Sequence, residues 1–233
     1  MPKVPTAMKG IFADMLGDYL RVVAKEGGQA AGKEAGQAAG REIGQAAVKA
    51  ADEVVVPFKV TKKMQKHKDE LIRQLNRQLD NMPTTPKKLL EALENPAKRT
   101  GTAQREAREQ FAETIRKRQD ALMRDLRRTD PDALSKQLAD FGISPSGNGL
   151  KDAKALAEAR SDGFMRTIAA LHEPDIVAGG LDHVGRHGNG VHSFGLSNVN
   201  SSIGSQWKNL KPDLIEMLKT LDPDKPIRLT HPL

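Results

Sequence analysis

The chain contains no cysteine. That absence removes disulfides, thiolate zinc sites and thiol nucleophiles together, and it matches folding in a reducing cytoplasm. Aromatic residues are nearly as scarce, with one Trp, one Tyr and six Phe among 233 residues. A core must therefore be built largely from aliphatic side chains, which favours helices rich in Ala and Leu. No apolar run reaches the ~20 residues of a membrane span. The first segment, "MPKVPTAMKGIFADMLGDYL", is interrupted by Asp14 and Asp18 and does not read as a cleaved signal peptide.

What the chain does have is an uneven distribution of positive charge. The formal net charge is +7, and residues 53–131 alone carry 19 Lys and Arg against 12 Asp and Glu. Stretches such as "KVTKKMQKHK" and "IRKRQDALMRDLRR" attract polyanions through counterion release, which makes nucleic acid a candidate partner. Within the second stretch, Arg116, Lys117 and Arg118 are candidate substrate-binding residues. Mixed charge of this kind also solvates an exposed helix face.

Met8, Ile11, Phe12, Met15, Leu16, Tyr19, Leu20 and Val23 recur at helical spacing and define an amphipathic helix. The next segment, "GGQAAGKEAGQAAGREIGQAAVKAADE", is unusual. Gly28, Gly32, Gly36, Gly40 and Gly44 recur every fourth residue. Each costs about 1 kcal/mol relative to Ala in a water-exposed helix, yet together they form a smooth ridge that lets another backbone approach closely. Such a helix is weak alone and suits packing on a protein or a bilayer. A flexible Gly/Ala linker is the competing reading.

Further on, Pro57 is expected to break a helix. A basic amphipathic segment follows at 61–81, a short helix opens at Pro86, and "ENPAKRTGT" reads as a boundary. A long charged helix is expected from Thr102 to Arg128, its inner face marked by Ala107, Phe111, Ile115, Leu122 and Leu126. Asp130 as N-cap, Pro131 at the first position and Gly142 as stop define another. A helix over 151–172 buries Leu156, Phe164, Ile168 and Leu171, and a final one spans about 212–221. The fold class is mainly α, with short strands allowed. The expected division is residues 1–53, with the amphipathic and glycine-ridge helices, a basic helical connector at 54–100, and a helical, loop-rich domain at 101–233.

The segment 172–207 differs in character. It holds four of the six His, seven Gly, three Asn and the only Trp, a composition that presents side chains at a site. His172 and Asp175 stand three apart, with Pro174 placing them at a helix end. An imidazole to activate water and a carboxylate to hold a divalent ion suit phosphodiester hydrolysis. An Asp past a helix end is also a common cap for the next element. His183, His187 and His192 invite a metal reading, since "HVGRH" has ligand-like i, i+4 spacing, but the glycines at 185, 188 and 190 spoil the helix it requires, so they read as surface loop residues. Asn200, Ser202 and Gln206, near Trp207, read either as a polar wall that orients a phosphate or a catalytic His, or as a turn and helix start in which Trp207 is core.

"LHEPDIVAGG" followed by "VNSSIGSQW" resembles the polymorphic toxin type 15 domain, a nuclease toxin family marked by a His-x-x-Asp motif and delivered by bacterial antagonism systems, including type VI secretion. The resemblance implies a secreted antibacterial effector, a metal-dependent deoxyribonuclease with His172 and Asp175 catalytic. It further implies DNA as substrate, a divalent metal such as Mg2+ held by Asp175, and a cognate immunity protein. By the same resemblance the glycine-zipper region engages a type VI loading adaptor and contacts the target's inner membrane, so that the protein passes from the producer cytoplasm to the target cytoplasm. Two other readings stay open: a membrane-active toxin acting through the glycine repeat, and a non-catalytic nucleic-acid-binding adaptor.

Overall fold

The computed structural model describes residues 52–186 and 192–233. The expected amphipathic helix, the ridge of Gly28, Gly32, Gly36, Gly40 and Gly44, and His187 lie outside the described residues. Six α-helices and four short strands among the described residues make the fold mainly α. None of these helices is long and apolar enough to cross a membrane. The described chain forms two compact units, one from residues 105–168 and one from the separate segments 52–104 and 169–233.

In the two-segment unit, β1 (Asp52–Val55) pairs in parallel with β4 (Ile227–Thr230), in a register that sets Asp52 beside Ile227 and Val55 beside Thr230. Val54, Val56 and Phe58 are buried while Val55 is 49% exposed, the two-residue alternation of a strand. The expectation of a helix broken at Pro57 is therefore corrected. Consecutive valines are stiff at χ1 and fit a pleated surface, and Pro57 falls just beyond the strand. Helix α1 (Lys68–Asp80) buries Leu71, Leu75 and Leu79. Helix α2 (Pro86–Glu94) opens on Pro86, as expected, and buries Leu89 and Leu93.

The longest helix of this unit, α6 (Ser197–Leu218), starts well before the expected 212–221 and contains Pro212. Val199, Ile203 and Trp207, one turn apart, are fully buried in the same cluster as Leu71, Leu75, Leu89 and Leu93. This apolar row outweighs the turn-forming polar residues between its members. Trp207 is core: its ring meets Phe58 edge-on at 4.9 Å, and its Nε1 donates to Gln78 Oε1 at 2.8 Å. The segment expected as a connector, 54–100, thus supplies much of the core around which 197–218 packs. Its apolar positions need burial as much as its lysines need water.

The other unit contains most of α3 (Thr102–Thr129), together with α4 (Pro131–Asp140) and α5 (Gly149–Thr167). The cap expected at Asp130 is made, accepting from Ala133 N at 2.9 Å, and Asn148 also caps its helix, accepting from Leu150 N and Lys151 N. The buried stripe of α3 runs through Ala107, Phe111, Ile115, Gln119 and Met123, while Leu122 is 46% exposed. It follows the four-residue ridge, which winds around the helix, rather than the fixed face expected. Arg108 donates to the carbonyls of Met165 and Ile168 and satisfies the C-terminal end of α5. The helix expected to reach 172 stops at Thr167 and gives way to β2 (Ile168–Ala170), which pairs with β3 (Phe194–Leu196). Strand geometry begins at the β-branched Ile168, with φ −112° and ψ 155°.

Candidate active site

His172 lies two residues beyond β2, in the two-segment unit, and not at the rim of a helix. Leu171 N donates to Ser193 O at 2.9 Å, Gly185 N to Leu171 O at 2.8 Å, and Ser193 N to Gly185 O at 2.7 Å. Three backbone stretches are thereby knotted around the residue before the histidine. Glu173, inside the motif, forms a second anchor. Arg77 of α1 grips its carboxylate with two bonds, Nε to Oε1 at 2.8 Å and Nη2 to Oε2 at 2.7 Å, and Ser193 Oγ donates to Oε1 at 2.8 Å. A side chain at Gly185 would run into that carboxylate. The Glu173–Pro174 peptide is cis.

His172 itself is buried, 6% exposed. Its Nδ1 lies 2.7 Å from the backbone carbonyl of His183, which can only accept, so Nδ1 carries the proton and Nε2 presents a lone pair. Nε2 is buried and has no hydrogen-bond partner. Burial is the main influence on this imidazole and holds its pKa below the ordinary value. The His183 carbonyl and the charges of Asp175 and Asp182 oppose that shift, and the Arg99 guanidinium adds to it. The net effect favours the neutral form of the imidazole.

Asp175, three residues on, caps the short 3-10 turn Ile176–Ala178, its Oδ1 accepting from Val177 N at 2.9 Å. The capping role anticipated for an Asp at this point is real, but it engages one oxygen. Oδ2 faces α6 at Gly204, where an added Cβ would stand 3.4 Å away. Gly179 ends the turn with φ +85°, and a side chain there would strike the backbone of Ala92.

Sequence reasoning missed three further residues. Asp182 Oδ2 accepts from Thr100 N at 2.8 Å and from Thr100 Oγ1, and these donors hold its pKa below the ordinary carboxylate range. Its Oδ1 is buried without a partner and lies 4.0 Å from His172 Nε2. Arg99 donates to Gln104 Oε1 at 2.7 Å, and Gln104 Nε2 donates to Ala170 O at 3.1 Å, which ties this cation to the strand leading into the histidine. The available signal was weak: an acid among glycines in "GGLDHVGRH", and an Arg-Thr pair inside a stretch that read as a boundary.

The other expected site residues divide. Asn200 stands one turn before Gly204 on α6, with its Oδ1 buried and unpartnered. Ser202 is half-buried, and its position two residues on turns it away from that face. Gln206 is engaged elsewhere, accepting from Lys59 N at 2.8 Å and donating to Lys59 O at 3.2 Å. Arg116, Lys117 and Arg118 are exposed on α3 in the other unit, where Arg116 lies 3.6 Å from Asp162 and Lys117 pairs with Glu113 at 2.7 Å. His183 contributes its carbonyl while its ring is exposed, and His192 is half-buried. A hollow on the same unit as His172 is lined by Lys62, Lys63, Met64, Gln65, Lys66 and Asn198.

Among the described residues, no three His, Cys, Asp or Glu side chains stand together as a metal cage. A hard divalent cation does not require one, since Mg2+ binds through one or two carboxylates and completes its shell with water and phosphate oxygens. The oxygen of Asp175 not used in capping fits that demand. A family model described as Novel toxin 15 matches residues 65–226. No curated protein matches the chain.

Proposed function

The chain belongs to the Novel toxin 15 family, and from that premise we propose that it is a toxin that hydrolyses phosphodiester bonds of DNA, with His172 as general base. The observation that carries this reading is the buried imidazole whose Nε2 lone pair faces no donor, beside the carboxylates of Asp175 and Asp182. A base must hold an unshared lone pair at working pH, and burial favours the neutral form. The bond from Nδ1 to His183 O fixes both tautomer and ring orientation, the task a second carboxylate performs in many hydrolases.

Asp175 would hold the divalent cation, Mg2+ by preference for a carboxylate oxygen, with Asn200 supporting it from α6. When bound, such a cation neutralises phosphate charge as it builds in the transition state. Arg99 contributes a fixed cation at the same place. The lysines at 62, 63 and 66 supply phosphate contacts along the duplex. Around this catalytic centre we place the rest of the reading: a secreted antibacterial effector of type VI type, passing from producer to target cytoplasm, neutralised by an immunity protein. Its glycine ridge would serve a loading adaptor and the target's inner membrane.

The test is plasmid degradation by the purified chain with Mg2+ and with EDTA, beside His172→Ala and Asp175→Ala. Cleavage that needs the metal and both residues supports the reading. Degradation at the parental rate by both variants refutes it.

A further inference from the structure

Two buried acceptors confront each other in this unit at 4.0 Å. His172 Nε2 and Asp182 Oδ1 each lack any hydrogen-bond partner, and they lie 4.0 Å apart. Neither can donate to the other, since Nε2 is a lone pair and Asp182 is a carboxylate. A buried acceptor without a donor is costly, on the order of 1–3 kcal/mol, and here two such groups share one gap. Asp182 cannot relieve this by turning, because Thr100 holds its other oxygen with both its N–H and its hydroxyl. The loop of Asp182 is fixed to the histidine as well, since the His183 carbonyl accepts from His172 Nδ1.

We infer that Asp182 is a further catalytic residue, which together with His172 holds the attacking water. One water molecule carries two O–H groups, and donors to two acceptors 4.0 Å apart diverge by roughly a right angle at hydrogen-bond length, near the angle between its own O–H bonds. This inference rests on the phosphodiester reading above and names who positions the nucleophile. In the step, the water oxygen forms a bond to phosphorus as the phosphorus–ester oxygen bond breaks. The water proton directed at His172 passes to Nε2, the proton directed at Asp182 remains on the new phosphate oxygen, and the leaving alkoxide takes a proton from solvent. Asp182 therefore orients and stays ionised, while His172 changes protonation state.

The experiment uses the full chain, linear duplex DNA and Mg2+ under single-turnover conditions. Asp182→Asn keeps an oxygen for the Thr100 donors and turns an NH2 toward Nε2, so the gap loses one acceptor and gains a donor. The rate constant is expected to fall about 100-fold or more, with DNA affinity and Mn2+ affinity within twofold of the parent. A rate within threefold of the parent overturns the inference, and so does a loss of Mn2+ affinity, which would make the carboxylate a cation ligand. His172→Ala, run alongside, separates the two levels. If it cleaves normally, the reading of His172 as general base fails; if it is dead while Asp182→Asn is normal, only the role of Asp182 fails. Should Trp207 emission show the Asn variant unfolded, Thr100→Val serves instead, retaining the carboxylate but freeing it to rotate. A tenfold slower rate at unchanged DNA affinity is then expected, and an unchanged rate overturns the inference.

Discussion

Replacing Arg77 by leucine strands the Glu173 carboxylate, which is 2% exposed, with Ser193 as its remaining donor. The variant loses two charge-assisted bonds of 2.8 and 2.7 Å. At ~1.5–3 kcal/mol each these sum to about 3–6 kcal/mol, and removal of one partner from a buried ion pair independently costs about 3–5 kcal/mol. Arg77 is itself 25% exposed, so water reaches the vacated space and the lower end applies. The expected loss is ~3 kcal/mol, about two orders of magnitude in the unfolding equilibrium. Urea unfolding followed by fluorescence is the assay. The single Trp, at 207, is fully buried in the unit that holds Glu173, so its emission reports that unit. With a urea slope of ~1–3 kcal/mol per molar, the midpoint should fall by roughly 1–3 M. Adding Glu173→Gln to the Arg77→Leu chain should recover part of the loss, because a neutral amide is cheaper to bury than a stranded charge. A midpoint shift under about 0.3 M, or no recovery in the double variant, would refute the view that this pair anchors the motif.

The pH profile follows from the depressed pKa of His172. The acid limb of kcat/KM should turn down below the ordinary histidine range, and the same group should make the fold less stable as pH falls, because the unfolded chain takes the proton first. A limb centred at or above the ordinary histidine value contradicts the burial argument. Gly179→Ala adds a Cβ against the Ala92 backbone at a residue with φ +85°, and about 2–4 kcal/mol of destabilisation is expected from overpacking and left-handed strain together; an unchanged melting temperature would contradict it. Charge reversal at Lys62, Lys63 and Lys66 should weaken DNA binding and lower the slope of log K against log salt by about one unit per lost phosphate contact. An equal change from reversing Arg116, Lys117 and Arg118 would show that α3 takes an equal share of the duplex. Replacing Gly32, Gly36 and Gly40 by Leu should leave cleavage in vitro intact while abolishing adaptor binding or target entry; full killing by that variant would reduce the ridge to a linker.

Local chemistry was legible in the sequence and distant pairing was not. Asp130 announces α4 because a cap acts within three residues. Likewise Pro86 announces α2. The pairing of β1 with β4 joins residues at opposite ends of the described chain, and its apolar alternation is too short to signal itself. Thr100 and Asp182 are 82 positions apart, and Arg77 and Glu173 are 96 apart. No periodicity connects such partners, so the segment 54–100 read as a connector when it carries the arms that hold the site. The helix expected to reach 172 failed for the opposite reason. Its apolar spacing persists through Ile168 and Leu171, but both are buried by strand geometry and loop pairing.

The parallel pairing of β1 with β4 also sets an order in time. During synthesis His172, Asp175 and Asp182 leave the ribosome before Ile227, so the chemical groups exist before the strand that completes their supporting core. Contacts of such long sequence separation form slowly, because loop closure must precede them. A message truncated upstream of Ile227 would thus yield a chain that carries His172, Asp175 and Asp182 but no closed core, and the cell that makes it would meet a substrate for its proteases instead of a poison.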